Sequence, residues 1–147
     1  MKGREDISRE ARRWIGTPYV HQASCIGAGT DCLGLIRGVW RTVLGAEPEV
    51  VPPYTSDWSE PTREEAVLAA AARWLTPKPL TSEDVGDVLV FRMVGNNVAK
   101  HLGISSSKGR SATFIHAYSG HCVAETSLSM PWVRRIAGRF EFPTGDK

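Results

Sequence analysis

Apolar residues follow two rhythms along the chain, and the change of rhythm divides it. Ile7, Ala11, Trp14 and Ile15 recur with helical spacing, one face of a short amphipathic helix. Asp6 or Ser8 can cap its start, and Gly16 with Pro18 stops it. Thr17 to Thr30, with its two glycines, one serine and one proline, reads as a loop. Cys32, Leu35, Ile36, Val39, Trp40 and Val43 then form a continuous apolar stripe, the clearest pattern in the sequence. Thr30 or Asp31 precedes it as a cap and Gly45 follows as a stop. Gly34 and Gly38, inside this helix, each cost about 1 kcal/mol relative to alanine. The expected reason is the close backbone packing of a strand across them.

Residues 46–61 hold four prolines and read as an irregular excursion. Thr62 and Glu65 fit a capping box for a third helix, which runs through AVLAAAARWL to Pro77. After Pro79 the period falls to two. Residues 87–93, 100–105, 113–118, 122–127 and 135–142 read as strands, with turn chemistry at Gly95-Asn96-Asn97, Lys108-Gly109-Arg110 and Ser119-Gly120. Helices first and strands second, with short connections, predict an α+β fold with an antiparallel sheet. The length, 147 residues, fits one domain.

Composition narrows the classes. Hydrophobic residues make up 41% and charged residues 23%, which fits a globular chain and excludes disorder. The formal net charge of +2, from 18 Lys+Arg against 16 Asp+Glu, is too small and dispersed to indicate nucleic acid. No apolar run approaches the roughly 18–20 residues of a membrane span. The N-terminus, MKGREDISREARR, lacks the apolar stretch of a secretory signal, so synthesis and retention in the cytoplasm, or exit by a signal-independent route, is expected. Three cysteines, Cys25, Cys32 and Cys122, argue against a disulfide framework and leave free thiols, a metal site or a nucleophile.

Cys32 stands at the start of the best-formed helix, where the unpaired N–H groups and the dipole lower a thiol pKa. The plainer reading is a buried structural cysteine. A nucleophile needs a base, itself oriented by a third group. His21, His101, His116 and His121 are available, and His101 and His116 lie in predicted strands. If those strands are neighbours, both imidazoles can project toward one helix end. The His21, Cys25, Cys32 and His116, His121, Cys122 spacings match no common zinc template, so no metal is expected. Gly27-Ala28-Gly29 lacks the rest of a phosphate-binding motif and reads as a tight turn, so no cofactor is expected either.

Taken in order, ARRWIGTPYVHQ, GTDCLGLIRGVW, GDVLVFR, KHLGI and FIHAYSG resemble the NlpC/P60 cysteine peptidases, above all their phage-type members encoded in gene-transfer-agent tail clusters. The likeness covers about residues 10–127. It implies a papain-like α+β domain with helices packed on an antiparallel sheet and a nucleophile at a helix N-terminus. It implies hydrolysis of peptidoglycan stem peptides, of the D-γ-glutamyl-diaminopimelate type, by a Cys-His-His triad. Cys32 matches the nucleophile, His101 the base and His116 the orienting residue. Tyr19 matches a tyrosine near the nucleophile, and Asp31 an acidic position that meets a substrate amine in some members. Asp31 can equally serve only as a helix cap.

Phage-like tail proteins are the implied partners, and action on the cell wall from a phage-like particle the implied setting. The chain departs from the family at Leu33, where a serine is usual, and at His21-Gln22-Ala23, which replaces Trp-Gly-Gly. These departures leave open a thiol amidase or acyltransferase, or a non-enzymatic tail-tip or wall-binding component.

Overall fold

The computed structural model describes residues 3–49, 66–93 and 101–144. Helix α1 (Arg4–Arg13) is followed by a short hairpin, β1 (Ser24–Cys25) with β2 (Gly29–Thr30), and by α2 (Cys32–Val43). Then come α3 (Ala66–Trp74), β3 (Thr76–Lys78), β4 (Val88–Phe91), β5 (His101–Ser107), β6 (Thr113–His116), β7 (Ala124–Ser127), α4 (Met130–Val133) and β8 (Ile136–Glu141). The main sheet has six strands in the order β3-β8-β4-β5-β6-β7, and every pairing in it is antiparallel. This is the expected α+β architecture.

Helices α1 to α3 form where the pattern placed them, with local differences. The cap of α1 is Gly3; Asp6 sits a turn inside and accepts the Gly3 N–H at 2.8 Å. An acidic side chain at the third helical position can reach back to the cap in this way, which Asp6 does in place of capping directly. Ile15 lies past the end of α1 and is 44% exposed, because helical spacing has no meaning beyond Arg13. Asp31, not Thr30, caps α2, accepting the Gly34 N–H at 2.7 Å. Pro77 is tolerated in β3 because that strand is an edge and owes no central ladder bond.

The glycines of α2 have a different cause from the one expected. A side chain at Gly34 would collide with the Ala23 carbonyl, and one at Gly38 with the indole of Trp14, the C-cap of α1. A loop carbonyl and an aromatic ring, not a crossing strand, require the bare backbone.

The hairpin β1–β2, the edge strand β3 and the one-turn α4 were not foreseen, since two to four residues cannot display a period. The expected capping box at Thr62 and Glu65, the turn at residues 95–97, most of the 46–61 excursion and Lys100 lie outside the described residues.

The sheet has two unlike faces. Val88, Val90, Leu102, Ile104 and Ile115 pack against Ile7, Ala11, Leu35 and Val39 of the helices in the main core. The opposite face carries a second, small cluster of Leu89, Phe91 and Phe114, covered in part by Trp132 of α4. Both faces of the central strands are thus buried, which explains why VLVF is apolar throughout.

Candidate active site

Three segments bring the singled-out side chains to one end of the sheet. β5 begins with His101, whose cross-strand partner is Phe91 of β4. β6 ends with His116, on the same face as Phe114 by the period-two rule. The strands are neighbours, as expected, and the imidazoles touch: His101 Nε2 lies 2.8 Å from His116 Nδ1. His116 Nε2 in turn lies 2.9 Å from Thr126 Oγ1 of β7. Both rings are buried, at 7% and 4% exposure. Aromatic rings enclose them. Trp132 stands 6.0 Å from His101 and 5.2 Å from His116, and Tyr118 stands 5.6 Å from His101.

The imidazoles occupy the face of Phe91 and Phe114, not the face that receives α2. Contact with the helix is made at the strand end. Cys32 opens α2, and its thiol receives the backbone N–H of Leu102, one peptide along from His101. The structure thus sets Cys32 against the backbone next to His101, and His101 against His116.

The electrostatics differ from expectation at Cys32. Burial first, and the Asp31 carboxylate second, push its thiol up to about 12. The backbone N–H groups of Leu102, Leu33 and Cys32 itself pull the other way without prevailing. A helix terminus stabilises a charge by about 0.3–1 kcal/mol, and desolvation of a buried thiolate exceeds that. Burial, with the proximity of His116, takes His101 down to about 3. Burial, with His121 nearby, takes His116 down to about 4. At neutral pH the site rests as a neutral thiol beside neutral imidazoles.

Tyr19 is half-buried close to the thiol. Burial, then Cys32 and Asp31, raise its phenol to about 12, so it remains an O–H donor. Asp31 is 2% exposed and uses both oxygens on backbone: Oδ1 accepts from Gly34 and Oδ2 from the Gln22 N–H, at 2.7 Å each. The capping reading accounts for this geometry. His21 Nδ1 lies 3.8 Å from Asp31 Oδ2, so His21 belongs to the wall around Asp31 and not to the imidazole pair. Gln22 has φ +66°, a left-handed backbone, at a position where the resembling family carries glycine.

A groove of about 470 Å³ runs between α2 and α3, lined by Leu33, Ile36, Trp40, Val67, Trp74 and Leu102 among others. Leu33 and Leu102, the chain neighbours of Cys32 and His101, are part of its lining. Its charged rim is internally paired: Arg37 and Arg41 hold Glu47, and Arg73 with the Trp74 indole holds Glu49. Among the described residues no cluster of three or more His, Cys, Asp or Glu side chains could hold a metal ion. No helix among them is long and apolar enough to cross a membrane.

Thr126, Tyr118 and Trp132 were not singled out from the sequence. Only the alternation of β6, which puts Phe114, His116 and Tyr118 on one side, hinted at Tyr118. Nothing in the sequence aligned Thr126 with His116.

No protein-family model matches the chain. Among curated proteins it is similar to a gamma-DL-glutamyl hydrolase of Bacillus subtilis (strain 168), 27% identical over 135 residues. That match takes in 90% of this chain and 28% of the hydrolase, so the chain spans under a third of that relative. Among solved structures it is similar to the NlpC/p60 domain of the peptidoglycan hydrolase SagA, with TM-score 0.65 and 23% identity over 95% of this chain and 99% of that one. It is also similar to an NLP/P60-family lipoprotein-like protein of Staphylococcus aureus, with TM-score 0.63 and 19% identity over 95% and 41% of the two chains. A Bacillus cereus NlpC/P60-family protein gives TM-score 0.65 and 18% identity over 95% and 40%. In the arrangement of its helices and antiparallel sheet, the chain has the NlpC/P60 fold.

Proposed function

We propose that this protein is a cysteine peptidase that hydrolyses amide bonds in peptidoglycan stem peptides, of the D-γ-glutamyl-diaminopimelate type. The observation that carries the reading is the His101–His116 pair at 2.8 Å, set where the Cys32 thiol meets the next peptide of β5. A gamma-DL-glutamyl hydrolase among the relatives and a peptidoglycan hydrolase among the structural neighbours support the substrate class.

With Nε2 of His101 engaged by His116, Nδ1 is the nitrogen left to exchange a proton with the thiol. His101 takes the Sγ proton as sulfur attacks the substrate carbonyl, so thiolate never accumulates. His116 holds the resulting imidazolium and fixes its orientation. The Cys32 N–H and the Tyr19 hydroxyl donate to the oxyanion. Collapse breaks the C–N bond, and His101 returns the proton to the leaving amine. Water then cleaves the thioester by the same exchange. Asp31 meets the substrate amine while its oxygens hold the loop and the helix start.

The test is digestion of muropeptides of diaminopimelate chemistry by wild type and by Cys32→Ala, read by mass spectrometry. Cleavage by wild type alone supports the reading, and product masses name the bond. No cleavage by folded, reduced wild type overturns it.

The groove beside Leu33 favours a second reading, a thiol amidase or acyltransferase of the same fold acting on a less polar substrate. Transfer to an added amine without net hydrolysis would identify it. A setting on a phage-like tail rests on the motif resemblance alone, and co-purification of the protein with particles tests it.

A further inference from the structure

We infer that Thr126 is a positioning residue that selects the tautomers of both imidazoles, and through them makes His101 a base. The inference rests on the peptidase reading but concerns a residue that the reading does not need. Three groups form a line: His101 Nε2 to His116 Nδ1 at 2.8 Å, and His116 Nε2 to Thr126 Oγ1 at 2.9 Å. A neutral imidazole carries one N–H and one bare nitrogen. The line can therefore be filled in only two ways.

In the first, Thr126 accepts. His116 carries its proton on Nε2 and donates to Oγ1, leaving Nδ1 bare. His101 then carries its proton on Nε2, donates to that bare nitrogen, and presents Nδ1 as an acceptor. In the second, Thr126 donates. His116 Nε2 is bare, Nδ1–H points at His101, and His101 must carry its proton on Nδ1. That form cannot take a proton from a thiol. Both rings are buried, and the His116–Thr126 bond is part-buried at the end of the line. Neither ring is protonated at neutral pH, because burial holds both well below the ordinary histidine value.

A β7 hydroxyl is thus coupled to the state of a β5 side chain two strands away, and its acceptor role is the one that leaves His101 a base. Thr126 lies across from Phe114, diagonal to His116, the distance at which neighbouring strands exchange side-chain contacts. Valine has the same shape without the hydroxyl. In Thr126→Val the first arrangement would leave a part-buried N–H against a methyl group, the costlier orphan. The proton then moves to Nδ1 of His116, and His101 follows into the inactive form.

The experiment is two-bond 1H–15N correlation spectroscopy of the four histidines at neutral pH in wild type, Thr126→Val and Thr126→Ser. Turnover of diaminopimelate-type muropeptides is measured in parallel. The expected spectra show Nε2–H on both His101 and His116 in wild type and in Thr126→Ser. They show Nδ1–H on both in Thr126→Val. The expected kcat of the valine variant falls about 10- to 100-fold, the usual effect of removing an outer partner of a functional histidine. KM stays level, and serine restores the rate.

Nδ1–H on His101 in wild type, or unchanged tautomers in the valine variant, would overturn the inference. So would unchanged turnover in the valine variant. The spectra need no substrate. A wild type that cleaves nothing but shows the expected spectra defeats the peptidase reading and leaves the tautomer assignment standing.

Discussion

The β4–β5 pair carries a buried polar cluster at each end, and the two are handled in opposite ways. At one end Asp87 is fully buried next to Val88, and its backbone carbonyl accepts the Ser105 N–H. Its carboxylate takes Lys78 Nζ at 2.9 Å, Arg139 Nη1 at 2.7 Å and the Asp84 N–H at 3.0 Å, with Arg4 at 3.5 Å. At the other end, across from Phe91, His101 and His116 are equally buried with one bond between them and one to Thr126. In the first cluster each charged group has an opposite charge and a hydrogen bond. The second keeps no charge, because burial without counter-charge excludes the proton. A paired cluster fixes tertiary structure. An unpaired neutral one leaves groups ready to gain charge when a thiol proton must be moved.

The sharpest test of this contrast separates activity from stability. Cys32→Ala should remove turnover, a loss of at least about 1000-fold, while the melting temperature stays within a few degrees of wild type. Calorimetry beside the muropeptide assay checks both. A large loss of stability would mean that the thiol is a structural core group.

The complementary change is Asp87→Asn. It leaves Arg139 buried without its counter-charge and Lys78 with only Glu141 at 3.6 Å, and should cost about 3–5 kcal/mol, the usual penalty for breaking a buried pair. Turnover per folded molecule should not change. Urea unfolding measures the first and active-site-normalised kinetics the second. A variant as stable as wild type would show that the network is an ornament of the surface.

The histidines also make stability depend on pH with a definite sign. Their folded values, about 3 and about 4, lie below the ordinary value near 6.5. The unfolded chain therefore binds more protons in acid, and stability falls with pH through that window. The contribution is complete above about pH 6.5 and is lost progressively toward pH 3–4. Replacing both histidines by glutamine should flatten the stability curve between pH 6.5 and 4. In the same site the neutral resting thiol predicts slow alkylation. At pH 7, iodoacetamide should label the exposed Cys25 and Cys122 before Cys32. Faster labelling of Cys32 would point to a resting thiolate–imidazolium pair.

The smallest effect sits at the loop that supports Asp31. Gln22 at φ +66° pays a left-handed backbone penalty of about 1–2 kcal/mol, and glycine avoids it at some entropic cost. Gln22→Gly should raise stability by about 0.5–1 kcal/mol without affecting the imidazole pair. A decrease would show that the Gln22 side chain contributes more than the strain removes.

Much of this was legible in the sequence, for reasons that can be named. The stripe of α2 needs only helical spacing, and the Cys32 position follows from it. Four of the five expected strands from Val88 onward differ from the observed ones mainly at their ends, and the fifth gained Ser106 and Ser107. Asp31 stood as a cap because capping is local chemistry. The fate of Ile15, the reason for Gly38 and the existence of β1, β2, β3 and α4 were not legible. Each depends on a partner remote in sequence or on a segment too short to show a period.

The sequence by itself determined where α1 to α3 and β4 to β8 lie, that a thiol heads α2, and that two histidines stand on β5 and β6. These follow from short-range stereochemistry and from the need of each element to bury one face. Only the tertiary structure decided that the imidazoles meet, that Thr126 ends their line, and that burial outweighs the helix dipole at Cys32. Desolvation and hydrogen-bond geometry depend on everything within a few ångströms of a side chain, and most of that arrives from distant parts of the chain.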